Sequence, residues 1–316
     1  MAPKWLTFRL SNTAYCYANS VAMALGALGE AVDPGYVECM TAVAISAEWV
    51  QVPAGRLPFL SSPCTTPDRG INHTLEALGY SYLHQYGAAD GRTALAQLRD
   101  FLAYDPVVVG PLDMGLLLYN PDYPYLTGAD HYAVVYAVED GWVRLHDPGG
   151  FPHAVMAEED FLRAWKAETI AYKLGAYSLW GRFERRRHPT PDELFRATDA
   201  RIAGQLRLEQ ERFPAGTTGP AVIRELAGQA GSGLDGGVRI HLARFAFPVS
   251  ARRCEDFARF YAPYDAERSA LKKAQAECLG EAQSRLLSGD GAGLSRTLHR
   301  LADLEEQFQA LTLARA

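Results

Sequence analysis

The chain has 316 residues, 48% of them hydrophobic, with a formal net charge of −6 at neutral pH. That is enough apolar material for a sizeable core and enough length for two domains. The acidic balance argues against nucleic acid, which favours a basic partner, and no apolar run is long enough to span a bilayer. Five cysteines with no CxxC argue against a disulfide framework or a structural zinc, and for a reducing compartment. The stretch Met1 to Leu10 lacks the continuous apolar segment of a secretion signal. The expectation is a cytoplasmic globular protein with no cofactor, no membrane partner and no nucleic-acid partner.

An apolar helix starts at Cys16 and ends near Gly29. A second helical pattern covers Pro34 to Val50, and Ile71 to Leu78 reads as a short helix before a strand over Tyr80 to Gln85. Thr93 to Tyr104 is amphipathic, with Leu95, Leu98 and Leu102 on one side. Pro106 to Pro111 reads as a short buried strand. A Pro- and Tyr-rich loop then leads to a hairpin with arms His131 to Val138 and Trp142 to His146. Glu158 to Lys166 forms another helix.

Near residue 181 the chain changes character. The charged, Pro-containing stretch Gly181 to Pro191 reads as an exposed connection, which divides the chain into domains 1–181 and 182–316. Beyond it the pattern is helical: Pro191 to Arg212, Thr218 to Ala227, Arg252 to Gly280 with a break at Pro263, Glu281 to Leu287, and Leu294 to Leu313. Val238 to Phe247 is ambiguous between strand and helix. The fold class is α+β, an antiparallel sheet domain followed by a mostly α-helical one.

Cys16 carries the chemical signal. A cysteine at a helix start meets unpaired N–H groups and the positive end of the helix dipole, which favour the thiolate. His131 opens one hairpin strand and Asp147 closes the next. Cys, His and Asp in that order outline a thiol nucleophile with a base and an orienting carboxylate. Cys39, Cys64, Cys254 and Cys278 have no such context and read as ordinary thiols.

The hairpin register decides whether Asp147 can meet His131. A three-residue loop, Glu139-Asp140-Gly141, sets Val138 against Trp142 and puts Asp147 opposite Ala133, on the face of His131. A two-residue loop, Asp140-Gly141, would put Asp147 opposite Val134, on the wrong face. The three-residue loop is the expectation, and His146 is expected to be exposed on the opposite face. A metal set of His131, His146, Asp147 and His153 is disfavoured, because adjacent strand residues diverge and no pair has metal-motif spacing.

These residues carry a resemblance. Cys16 at a helix start, Pro106 to Asp113, Ala129 to Val135, Asp147-Pro148 and a helix ending at Ala164-Trp165 resemble the N-terminal domain of the butirosin biosynthesis protein H family. Arg252 to Ala258 and Leu301 to Glu306 are similar to the helical domain that follows it. The resemblance implies a papain-like fold, of the cysteine peptidase and NlpC/P60 kind, with an N-terminal nucleophile helix. It implies an acyltransferase of specialised metabolism. An acyl group would pass from a carrier-protein or other thioester to Cys16 and then to a small-molecule amine. His131 would be general base and acid, and Asp147 would hold the imidazole tautomer.

One position departs from the pattern. Papain-like enzymes commonly place a Gln a few residues before the cysteine for the oxyanion hole, whereas here Leu10 stands six before it. Asn12 is the substitute candidate. Arg182, Arg185, Arg186 and Arg187 form a run that would suit an acidic carrier, although such runs are usually solvated surface. Hydrolysis by the same triad, as in peptidases and amidases, and a non-catalytic binding protein that retains the fold are the alternatives.

Overall fold

The computed structural model describes residues 6–7, 15–52 and 55–315. The chain divides into two compact units, residues 1–37 with 67–189 and residues 38–66 with 190–316. The seam lies between Pro189 and Thr190, because the stretch read as an exposed connection begins as a paired strand. Leu179–Arg185 buries Leu179, Trp180, Gly181 and Phe183, so a cut at residue 181 would sever a paired strand. Residues 38–66 join the second unit, an arrangement that composition did not reveal.

In the first unit a six-stranded antiparallel sheet carries the fold. Its strands are β3 (Tyr80–Gln85), β4 (Val107–Asp113), β5 (Asp130–Glu139), β6 (Trp142–Asp147), β7 (Phe151–Ala157) and β8 (Leu179–Arg185), in the spatial order β3-β8-β4-β5-β6-β7. Alternation along these strands makes two faces. Val107, Val109, Ala133, Val135, Val143 and Leu145 point into one core, shared with α4 (Gly91–Leu102) and α5 (Glu158–Lys166). On the other face Tyr132 meets Tyr17 of α1 (Cys16–Gly26) edge-on at 5.9 Å. Residues 16–25 of α1 are all buried, as an apolar helix without a polar stripe requires. Here α3 (Pro67–Ala77) starts earlier than the periodicity suggested.

In the second unit the helices are α6 (Pro191–Arg212), α7 (Pro220–Ser232), α8 (Gly236–His241), α9 (Phe247–Tyr261), α10 (Ala266–Ser288) and α11 (Gly291–Arg315). The capping box of Thr190 and Glu193 starts α6. The ambiguous Val238 to Phe247 stretch is helical, with a π-helical turn over Leu242–Ala246. The break expected at Pro263 lies between α9 and α10. The hairpin of β1 (Glu48–Val52) and β2 (Gly55–Phe59) belongs to this unit, with Trp49, Leu57 and Leu60 packed on its core.

The helix expected over Pro34 to Val50 is short. It stops at Thr41 as α2 (Pro34–Thr41), because Ala42 and Ser46 take positive φ and the chain turns into β1. Among the described residues no helix is long and apolar enough to cross a membrane.

Candidate active site

Cys16 is the first residue of α1, and His131 is the second residue of β5. β4 bulges between Val109 and Leu112, beside β5. Gly110 sits in that bulge at φ 154°, and a Cβ there would strike the Tyr132 ring and come 2.9 Å from the His131 carbonyl. Glycine therefore permits the close approach that fixes the level of His131. Asp113, also buried, ties the loop between β4 and β5. It accepts the Gly115 N–H at 2.8 Å, the Gly128 N–H at 3.1 Å and the Thr169 hydroxyl at 2.6 Å.

Asp147 reaches His131 by a route different from the expected one. The turn has two residues, Asp140 at φ 52° and Gly141 at φ 80°, so Glu139 pairs with Trp142. Alone, that register would turn Asp147 away. A bulge between Val135 and Ala137 shifts the ladder back by one residue, giving Val134 opposite His146. One step further sets Asp147 level with Ala133, as the three-residue loop would have done. The expected loop is corrected, and the expected pairing is reached through two compensating irregularities.

The side chains form one chain of hydrogen bonds. Nε2 of His131 is 2.5 Å from Oδ1 of Asp147, which leaves Nδ1 for the hydrogen bond with the Cys16 thiol. Asp147 accepts two further bonds, from the Gly149 N–H at 2.6 Å and the Tyr119 hydroxyl at 2.8 Å. A Cβ on Gly149 would come 2.9 Å from that carboxylate. Tyr119 and Gly149 were not found from sequence, since neither residue type nor spacing marks a hydroxyl or backbone N–H that acts through another residue.

Burial governs the protonation of this chain. Cys16 and His131 are each 5% exposed and Asp147 is 1% exposed. Burial pushes the Cys16 thiol up, and the hydrogen bond and positive charge of His131 only partly offset it. The helix start was expected to lower the thiol pKa; desolvation outweighs it. Burial alone would lower His131, but the Asp147 carboxylate and its hydrogen bond, helped by Cys16, raise it well above the ordinary histidine range. Burial likewise opposes the Asp147 charge, and His131, Gly149 and Tyr119 overcome it and hold the carboxyl below its ordinary value. The shifts run toward a protonated imidazole, an ionised carboxyl and a protonated thiol.

Other sequence candidates fall elsewhere. Asn12 and Leu10 lie outside the described residues. His146 is 2% exposed rather than solvated; its Nδ1 accepts the His153 backbone N–H at 3.0 Å. Among the described residues no group of three or more His, Cys, Asp or Glu is placed to hold a metal ion. In the arginine run, Arg182 pairs with Asp100, Arg185 with Glu30 and Arg186 with Glu184.

A serine–histidine pair elsewhere in this unit is structural. Nε2 of His84 is 2.7 Å from the Ser178 hydroxyl. The Trp180 indole donates to Oδ1 of Asn72, which turns the Asn72 amide nitrogen toward Nδ1 of His84. Nδ1 is then the acceptor and Nε2–H the donor, so His84 cannot take the Ser178 proton. Burial lowers the His84 pKa to about 4 and keeps it neutral.

Comparison with known proteins places the whole chain. A family model described as the YobF C-terminal domain matches residues 214–312, all within the second unit. The uncharacterized protein YobF of Bacillus subtilis (strain 168) is 32% identical over 302 residues, covering 95% of this chain and 96% of that protein. The match runs through the Cys16, His131 and Asp147 unit and the helical unit alike, and the chain belongs to the YobF family.

Proposed function

We propose that the first unit is a papain-like domain in which Cys16 accepts an acyl group from a thioester and passes it to an amine. The observation that carries this reading is the single hydrogen-bonded chain from the Cys16 thiol through His131 to Asp147. Asp147, held by three donors, fixes the imidazole with Nδ1 toward sulfur.

The chemistry balances within this chain. His131 in its neutral form takes the thiol proton as sulfur attacks the thioester carbonyl. The donor C–S bond breaks, and the departing thiol receives that proton. A neutral amine then attacks the acyl-cysteine, its proton goes to His131, and the imidazolium returns it to the Cys16 sulfur as that C–S bond breaks. The N-terminal end of α1 places the positive end of the helix dipole beside the carbonyl oxygen as it gains charge. The acyl donor is a carrier-protein thioester or another thioester, and specialised metabolism is the setting that the resemblance to the butirosin protein H family supports.

The 5% exposure of Cys16 favours a second reading, a binding protein that retains the fold. Product analysis separates the readings. With an acyl thioester of N-acetylcysteamine and a primary amine, wild type forms amide and Cys16→Ala forms none. Free acid without amide would assign hydrolysis instead. Equal turnover by wild type and Cys16→Ala would contradict catalysis.

A further inference from the structure

Among the described residues β7 pairs with β6 and with no other strand. A hollow of about 190 Å³ opens there, walled by Leu118, Tyr119, Trp142, Val155, Met156 and Asp160. Val155 and Met156 are successive strand residues and point to opposite faces, so a hollow that touches both lies on the free edge of β7. Trp142 stands level with Ala157 across the β6–β7 ladder, and Asp160 is in the first turn of α5. Leu118 is 48% exposed, Trp142 47% and Val155 38%. Singly such exposure is ordinary; three large apolar side chains around one hollow mark a place where a ligand is bound.

Neither Tyr119 nor Asp160 offers an occupant an unused charge or hydroxyl. Asp160 is paired with Arg163, and the Tyr119 hydroxyl donates to Asp147 at 2.8 Å. A charged occupant would give up its water and find nothing to offset the loss, whereas an uncharged apolar one meets matching walls. The size suits a single ring, since an apolar cavity of about 150 Å³ takes up benzene. Tyr119 ties this hollow to the triad. Phe151 braces its ring edge-on at 5.4 Å, the hollow borders the ring, and the hydroxyl rests on the carboxylate that orients His131.

We propose that the hollow binds one uncharged ring or branched alkyl group of a small molecule, and that this occupant holds the Tyr119 hydroxyl on Asp147. An empty hollow leaves Tyr119 room to swing off the carboxylate and let water in. A filled one closes that room. The occupant binds the closed arrangement alone, so mass action lowers the open population as the ligand concentration rises. Tyr119 is a positioning residue: it touches the ligand and the orienting carboxylate, never the reacting atoms. Occupancy of the hollow thus sets how much of the protein carries a finished Cys16, His131 and Asp147 chain.

The test uses the full chain and benzyl alcohol as probe. Calorimetric titration is expected to show one saturable site, with benzylammonium and benzoate binding more weakly. Val155→Asp, at a partly exposed strand edge that accepts a polar side chain, should abolish the binding. Proton NMR then follows solvent exchange of the His131 Nε2–H that faces Asp147. With benzyl alcohol at four times its dissociation constant, that exchange should slow about fivefold. Val155→Asp should show no slowing. Tyr119→Phe keeps the ring wall and loses the hydroxyl, so it should bind the probe, exchange faster without it and respond less to it. Absence of saturable binding, slowing that survives in Val155→Asp, or an undiminished response in Tyr119→Phe would overturn the proposal. So would tighter binding of benzylammonium, which would give the hollow to a cation, or self-association abolished by Val155→Asp, which would give the edge to a second copy of the chain. Neither measurement reads acyl transfer, so this proposal and the acyl-transfer reading fail separately.

Discussion

Asp147 shows how much of the site depends on groups that never meet a substrate. Its carboxylate takes bonds from His131, Tyr119 and Gly149, and their sum keeps it ionised at 1% exposure. The proposed acyl transfer needs one proton shared between Cys16 and His131. Both groups are raised, so on the proposed mechanism the rate should rise as pH increases from neutral.

Asp147→Asn removes the charge that raises His131. The acidic limb of the rate profile should move to lower pH, and the rate should fall on the order of 10²-fold or more as the imidazole loses its orienting acceptor. Stability carries the same sign. The raised His131 stabilises below its unfolded pKa of about 6.5 and loses this as pH rises through its folded value; the lowered Asp147 stabilises above about 3.9 and loses this as pH falls. Thermal melts should therefore show Asp147→Asn losing more stability near pH 6 than near pH 9. An equal loss at both would contradict the ion pair.

Among elements, the β5–β6 hairpin marks where sequence reading succeeded and where it stopped. Alternation placed His131 and Asp147 on strands, and a required shared face pointed to their pairing. The turn length was misread because Asp140-Gly141 suits a two-residue turn as well as a three-residue one. The bulge before Ala137 left no trace, since Tyr136 is an ordinary strand residue whose hydroxyl meets His153 at 3.0 Å. Strands β7 and β8 were missed for a related reason: charge and Pro-Gly signals masked short runs that pair only through distant partners. Gly141 at φ 80° bears the turn. Gly141→Val should cost about 1–2 kcal/mol, read as a lowered urea midpoint with unchanged slope.

On the scale of the whole molecule, the helical character of the second unit was legible from spacing, but its composition was not. Residues 38–66 belong to it through contacts with no local signature. Cys39, Ala42 and Ile45 pack with Ile202, Phe257 and Phe308. Glu38 neutralises the buried Arg253 at 2.8 Å, and Ser46 donates to Glu209 at 2.6 Å. A fragment of residues 190–316 would lose the Glu38 partner of Arg253 and the apolar packing of Cys39, Ala42 and Ile45. Circular dichroism should show no cooperative melt for that fragment, while the full chain melts cooperatively.

The central claim is that Cys16 and His131 act as one nucleophilic pair. Its most direct measurement is the intact mass of the protein within seconds of mixing with an N-acetylcysteamine acyl thioester at mildly alkaline pH. The account predicts one acyl group, mapped to the Cys16 peptide, with none on Cys16→Ala and formation on the order of 10²-fold slower in His131→Ala. Unmodified wild-type protein, or an adduct that persists in Cys16→Ala, would contradict it.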